Sequence, residues 1–190
     1  MLADASLSVY PQFYTAGQAA NLFQQFIQQH VWPDNHYQYA SRQFILPRLQ
    51  TWHADQGIRY SYSNNLLQTQ QWTPLLSEIR QQVQQFLGLS FNAVLVNLYR
   101  DGHDYVGWHA DNEAELGEQP QIASLTLGVS RYFAFKHKKT QQSQRILLNA
   151  GTLLLMQPAF QQQWLHCVPP DQTITGSRIN LTFRRVLVQL

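Results

Sequence analysis

Apolar residues follow two rhythms along the chain. Up to Gly88 they return every three or four positions in two stretches, and beyond it they come every second position or in short unbroken runs. The first rhythm predicts two amphipathic helices. One follows Thr15 as N-cap, with Leu22, Phe23, Phe26 and Ile27 as its apolar stripe. The other has Thr73 as cap, Pro74 at its first position and Gly88 as its stop, and turns Leu75, Leu76, Ile79, Val83, Phe86 and Leu87 inward. The second rhythm predicts strands at 93–99, 122–128, 132–137, 145–149, 152–156, 163–168 and 178–187. Helices followed by many closely spaced strands describe an α+β domain built on a sandwich or barrel of antiparallel strands.

Composition narrows the class. A chain of 190 residues that is 44% hydrophobic and 13% aromatic can bury the core of one domain without covalent staples. Charged residues make up only 13%, and glutamine fills much of the remaining polar surface. The net charge of +2 permits a polyanionic partner without demanding one. The one cysteine, Cys167, excludes an internal disulfide and a multi-cysteine zinc site. The opening residues MLADASLSVYPQF have no basic start and no long apolar run, so neither a signal peptide nor a membrane span is expected. The expectation is a monomeric cytoplasmic protein, nuclear if the source is eukaryotic.

The strand at 178–184 carries the first candidate chemistry. Side chains alternate faces along a strand, so Arg178, Asn180, Thr182 and Arg184 share one side and Ile179, Leu181 and Phe183 the other. An edge strand with a solvated polar face is one reading. The other is a donor-rich row facing an interior, which needs an anion with several acceptor oxygens, such as a dicarboxylate. Asn97 and Tyr99 share a face in the same way, although polar ends of a half-buried strand are the simpler account of those two taken alone. His109 and Asp111 form an HxD pair, and a distant His166 would complete two imidazoles and one carboxylate. That is the facial triad of non-haem iron oxygenases, which leaves coordination positions open. HxD alone arises easily by chance; the order of metal pair, distant histidine and arginine strand is what gives it weight. His30, His36, His53, His103 and His137 lack such surroundings and read as surface or structural residues.

These residues resemble the AlkB family of nucleic-acid demethylating dioxygenases, in its DNA-repair branch. The matching pieces are PRLQ at 47–50, YSYS at 60–63, NLY at 97–99, RDGHD at 100–104, GWHADNE at 107–113, His166 and RINLTFR at 178–184, spread over about three-quarters of the chain. The resemblance implies one dioxygenase domain over residues 1–190, with N-terminal helices and a nucleotide-recognition segment in 1–92 and a double-stranded β-helix, or jelly-roll, in 93–190. It implies iron(II) held by His109, Asp111 and His166. It implies that Arg178 and Tyr99 hold the far carboxylate of 2-oxoglutarate, with Arg184, Asn97 and Asn180 near its metal-bound end, and it leaves Thr182 a packing role.

On the substrate side, the resemblance implies that Tyr60, Tyr62 and Ser63 position a flipped base against His109. Glu113 would read the base edge, and Arg48 and Gln50 would contact the nucleic acid. Asn112 stands where relatives often carry a second acid, and the ASRQFIL segment at 40–46 lacks a bulky duplex-invading finger, with Tyr39 as the aromatic substitute. The activity implied is repair of 1-methyladenine and 3-methylcytosine, in DNA ahead of RNA, with O2 and 2-oxoglutarate consumed and succinate, CO2 and formaldehyde released. Basic residues at Arg42, Arg48 and 136–139 suit a polyanion. Two other readings keep part of this pattern: an oxygenase of the same chemistry acting on RNA, protein or a small molecule, and a non-catalytic module that senses a dicarboxylate or metal.

Overall fold

The computed structural model describes residues 6–34, 36–39, 42–58, 61–62, 65–66 and 68–187. Strand β1 (Leu7–Tyr10) leads into helix α1 (Ala16–Gln29). The short strands β2 (His36–Tyr39) and β3 (Arg42–Ile45) form a hairpin. They are followed by β4 (Leu49–Ala54), β5 (Ser61–Tyr62), β6 (Asn65–Leu66), β7 (Thr69–Gln70) and helix α2 (Pro74–Leu87). The remaining elements are β8 (Ala93–Tyr99), β9 (Val106–His109), β10 (Ile122–Gly128), β11 (Arg131–His137), β12 (Ser143–Leu148), β13 (Leu153–Met156), helix α3 (Pro158–Gln163), β14 (Trp164–Val168) and β15 (Arg178–Arg184).

Both long helices end where their sequences dictate. The Thr15 side chain accepts from the Gln18 backbone N–H while the Gln18 side chain accepts from Thr15 N at 2.9 Å, a reciprocal cap that satisfies two orphan donors. In α2, Thr73 Oγ1 accepts from Leu76 N at 3.2 Å, and Gly88 closes the helix at φ 68°, a conformation that glycine adopts without steric cost. Ile27 and Phe86, both expected on the inward stripes, are exposed. Phe26 takes the inward direction beside Ile27, and Phe86 packs edge-on against Tyr10 and Phe13 at the rim.

The strands form two principal sheets. Seven are ordered β1-β13-β10-β15-β8-β4-β7, and four are ordered β12-β11-β14-β9. Strands from before and after position 92 share the larger sheet. Its outer face carries Val94, Val96, Leu98, Ile179, Leu181 and Phe183, which pack with Phe26 of α1 and with Leu76, Ile79 and Val83 of α2. Its inner face carries Leu95, Leu154 and Met156, which meet Phe133, Phe135 and Trp164 of the smaller sheet. Two facing antiparallel sheets with helices laid on one of them make a jelly-roll of the α+β class. No helix among the described residues is long and apolar enough to cross a membrane.

The polar row of β15 therefore faces the interior. β15 is a central strand paired with β8 and β10, and all seven of its residues are buried. Register sets Arg178 opposite Tyr99 and Asn180 opposite Asn97, on the inner face. This removes the solvated-edge reading of the strand.

Candidate active site

Part of the space between the sheets is a cavity rather than apolar packing. Asn97, Tyr99, Arg178, Asn180, Thr182 and Arg184 line it from the large sheet, and His109 and His166 from the small one.

β9 and β14 set the two imidazoles. His166 pairs with His109, but the next registered pair is Val168 with Val106, so β9 holds one residue more than its partner. Such a bulge lets both Val106 and His109 face the cavity while Gly107 and Trp108 turn outward. The same bend brings His109 Nδ1 within 2.8 Å of the Gly107 carbonyl. A carbonyl only accepts, so Nδ1 carries the proton and Nε2 offers its lone pair to the cavity.

Asp111 lies just past β9 and is 1% exposed. Its backbone N–H donates to Gln161 Oε1 at 2.9 Å, and its Oδ1 accepts from Arg184 Nη2 at 3.1 Å. Burial by itself would raise the carboxyl's pKa. The charges of Arg184, His109 and His166 more than offset that and hold it at about 2. Burial pushes the His166 imidazole down to about 3, with His109 adding to the effect. Burial also lowers His109, against the pull of Asp111. The cluster thus rests as two neutral imidazoles and one carboxylate.

The three ligand atoms lie within 4.8 Å of one another, with His109 Nε2 at 3.8 Å from Asp111 Oδ1 and His166 Nε2 at 4.0 Å from Oδ2. Two nitrogen lone pairs and a carboxylate converging on one point fit a divalent iron ion with coordination positions left open.

Across the cavity, Arg178 is 2% exposed and lies beside Tyr99, with the like charge of Arg131 near the same ring. Its Nη2 donates to Thr126 Oγ1 at 3.0 Å, and its guanidinium lies 5.2 Å from the Tyr99 ring centre. Nε and Nη1 have no hydrogen-bond partner among the described residues. Burial lowers the guanidinium to about 10, with Tyr99 opposing the shift. A buried cation with open donors facing a cavity fits a carboxylate brought in by a ligand.

Comparison with known proteins agrees with this arrangement. Residues 6–184 match the profile of the 2OG-Fe(II) oxygenase superfamily. The chain is 38% identical over 150 residues to the mouse "DNA oxidative demethylase ALKBH2", covering 75% of this chain and 63% of that protein. It is 33% identical over 188 residues to the human "Alpha-ketoglutarate-dependent dioxygenase alkB homolog 3", covering 94% and 65%, and 32% identical over 214 residues to the Arabidopsis thaliana ALKBH2, covering 98% and 68%.

The chain belongs to the AlkB family.

It spans about two-thirds or less of the length of these relatives. A solved structure, "The structure of OsALKBH1", shares the fold with a TM-score of 0.64 at 15% identity, over 97% of this chain and 100% of that one.

With the AlkB fold as frame, the remaining expected residues separate. Asn97 Oδ1 accepts from Arg48 Nε at 3.0 Å, so what Asn97 can still offer a ligand is its amide group. Asn180 donates to Ser124 Oγ at 2.8 Å and Leu125 O at 3.1 Å, and accepts from Thr182 Oγ1 at 2.8 Å. Both of its amide N–H groups are engaged, so it ties β15 to β10 within the cavity wall. Arg48 is 5% exposed and donates to Asn97 and to the Tyr105 carbonyl, with Gln50 beside it on the strand paired with β8. It sits in the cavity wall, just ahead of β4.

Glu113 lies two residues past Asp111, partly buried, where it opens the short 3₁₀ turn Ala114–Leu116. Asn112 is exposed. Tyr60 and Ser63 lie outside the described residues, as do Ala40 and Ser41, and Tyr62 is placed only as a backbone position in β5. His30 and His53 are structural, bonded to Thr51 and, for His53, to the Gln71 carbonyl.

Two site residues escape a reading of the sequence. Gln161 fixes Asp111 from α3, but in a glutamine-rich chain it carries no distinguishing pattern. Arg131, on the side of the Tyr99 ring, is buried and donates to the carbonyls of Asp101, Asp104 and Pro169 at 2.8–3.0 Å, tying together the loops beneath the cavity. An arginine opening a strand gives no hint of that.

Proposed function

We propose that the chain is an iron(II)- and 2-oxoglutarate-dependent oxygenase that removes alkyl groups from ring nitrogens of nucleic-acid bases, of the 1-methyladenine and 3-methylcytosine type, in DNA ahead of RNA. The observation that carries the reading is the buried His109, Asp111 and His166 cluster sharing one cavity with the open donors of Arg178. The relatives named DNA oxidative demethylase support the substrate class.

His109 and His166 supply neutral nitrogen donors and Asp111 a carboxylate that needs no deprotonation near neutral pH. Arg184 holds Asp111 in place and lends the metal end of the cavity a second positive charge. Arg178, braced by Thr126, receives the far carboxylate of the co-substrate through Nε and Nη1, with Tyr99 alongside. When bound, iron(II) with 2-oxoglutarate as co-reductant would activate O2: one oxygen atom would go into succinate as CO2 is lost, and the other would hydroxylate the N-methyl group, which would leave as formaldehyde. Phe133, Met156 and Val168 line the same cavity and keep it short of water. A base reaching it must leave its stack, and Tyr60, Tyr62, Ser63 and Glu113 are the groups that the family resemblance assigns to receive it.

The test is mass spectrometry of DNA and RNA oligonucleotides carrying 1-methyladenine or 3-methylcytosine, incubated with iron(II), 2-oxoglutarate and O2. The reading expects loss of one methyl group per succinate formed. Succinate formation with every methylated base left intact would move the substrate to another class. No succinate with any substrate would favour a sensing module.

A further inference from the structure

The smaller sheet has a second face, turned away from the metal cluster. On β11, Phe133 and Phe135 point into the core, so Tyr132, Ala134 and Lys136 point out. On β12, Arg145 and Leu147 are exposed between the more buried Gln144, Ile146 and Leu148. On β9, the bulge turns Trp108 outward, where it remains 44% exposed. Helices α1 and α2 pack on the other sheet and leave this face open.

The composition of the face is selective. Lys136 Nζ lies 4.7 Å from the centre of the Trp108 ring, and the Arg145 guanidinium 4.1 Å from that of Tyr132. Neither cation has a salt bridge among the described residues. The four strands β9, β11, β12 and β14 contain no aspartate or glutamate, and Lys138 and Lys139 extend the positive charge into the β11–β12 turn. The acidic group whose ionisation Arg145 favours is Asp171, and its carboxylate is already held by Thr173.

Two rings, each paired with a cation that has no salt bridge among the described residues, on an open sheet, match a chain that alternates flat bases with phosphates. A duplex hides its base faces in the stack; a single strand offers them. Trp108 is the immediate neighbour of His109, about 3.8 Å away along the backbone. A strand lying across this face therefore passes the edge where one nucleotide can turn into the cavity.

We propose that the outer face of the smaller sheet, centred on Trp108–Lys136 and Tyr132–Arg145, binds the single-stranded nucleic acid flanking the base under repair. The proposal rests on the nucleic-acid reading above and adds a surface and a strand preference to it. An acidic peptide or a second copy of the chain are the competing occupants.

The experiment measures fluorescence anisotropy of a labelled, unmethylated twelve-residue oligothymidine against the full chain over a range of salt. Trp108→Ala is expected to weaken binding roughly tenfold or more. The double variant Lys136→Gln/Arg145→Gln is expected to reduce the salt slope of log K by about 1.4. Arg185→Gln, an exposed cation beyond β15, is the control and should change neither. In turnover assays the sheet variants should raise KM for a methylated twelve-mer and leave that for a methylated trinucleotide within about twofold. Thermal melts confirm folding, and sedimentation reports self-association.

Unchanged affinity in folded sheet variants, an equal loss in Arg185→Gln, or a change in oligomeric state in place of oligonucleotide affinity would each overturn the proposal. If the parent chain binds oligothymidine through this face yet demethylates nothing, the proposed activity fails and the surface stands. If it demethylates and the sheet variants bind as before, the surface fails and the activity stands.

Discussion

Replacing Arg178 with methionine separates binding from stability, because the first should fall while the second should not. The guanidinium has two nitrogens without a hydrogen-bond partner among the described residues, Nε and Nη1, in a side chain that lines the cavity assigned to 2-oxoglutarate. A charge-assisted hydrogen bond contributes about 1.5–3 kcal/mol, so losing two costs about 3–6 kcal/mol, or roughly 10²- to 10⁴-fold in Kd. Stability does not fall with it. Burial lowers the guanidinium from 12.5 to about 10, and at about 1.4 kcal/mol for each tenfold change the empty pocket is destabilised by about 3 kcal/mol at any pH below about 10. Methionine removes that penalty and also loses the Thr126 bond, worth about 1.5–3 kcal/mol because its donor is charged. The protein without co-substrate should then keep its stability or gain up to about 1.5 kcal/mol, a rise of at most about 6 °C in Tm for a chain of this size. Calorimetric titration of 2-oxoglutarate into anaerobic, iron-loaded protein reads the affinity, and thermal melts of the metal-free protein read the stability. Binding within threefold of the parent in a folded variant would refute the assignment of Arg178. A large fall in Tm without ligand would refute the claim that its buried charge destabilises the empty pocket.

Other outcomes follow from particular contacts. Gln161→Leu removes the acceptor for the Asp111 backbone N–H and should weaken iron binding 10- to 100-fold with little change in fold, read by competition with a chelator. Gly102→Ala would set a Cβ 1.7 Å from the Asp171 carbonyl oxygen, so backbone must move; a loss of about 1–3 kcal/mol is expected in urea melts, and an unchanged midpoint would contradict the packing. Metal-free protein should lose stability as pH falls from 6.5 towards 3. The His166 imidazole, held at about 3, stays neutral in the fold while the unfolded chain takes up protons below about 6.5. Between pH 7 and pH 5 this one group accounts for about 2 kcal/mol, and coincident urea midpoints at the two pH values would contradict it.

Much of this architecture can be read from local signals. Thr15, Thr73, Pro74 and Gly88 bound their helices because capping is settled by a few neighbouring atoms. The alternation in 93–99 and 178–184 shows which side chains share a face. What it cannot show is which face is inside, since a polar row suits either a solvated edge or a lined cavity. Only the central position of β15, between β8 and β10, decides that. The triad is legible as residue types and order, whereas its geometry depends on a bulge in the four-residue strand β9, too short and too exposed to leave a periodic trace. Arg48 shows the same limit. Its type and its place before an aromatic segment suit a nucleic-acid contact, but only the pairing of β4 with β8 shows that it is buried against Asn97 in the cavity wall. β1 and β4 go unrecognised for a related reason. They are short strands whose partners, β13 and β8, lie far along the chain.

The direct test of the metal site is optical. Iron(II) and then 2-oxoglutarate are titrated anaerobically into the parent chain and into His166→Ala, while the visible metal-to-ligand charge-transfer absorption is followed. The account predicts a band in the parent that saturates at one iron and one 2-oxoglutarate per chain, and its loss in the variant. A parent chain that binds both components without developing the band, or a His166→Ala variant that keeps it at full strength, would contradict the claim that these three side chains gather one iron beside the arginine-lined cavity.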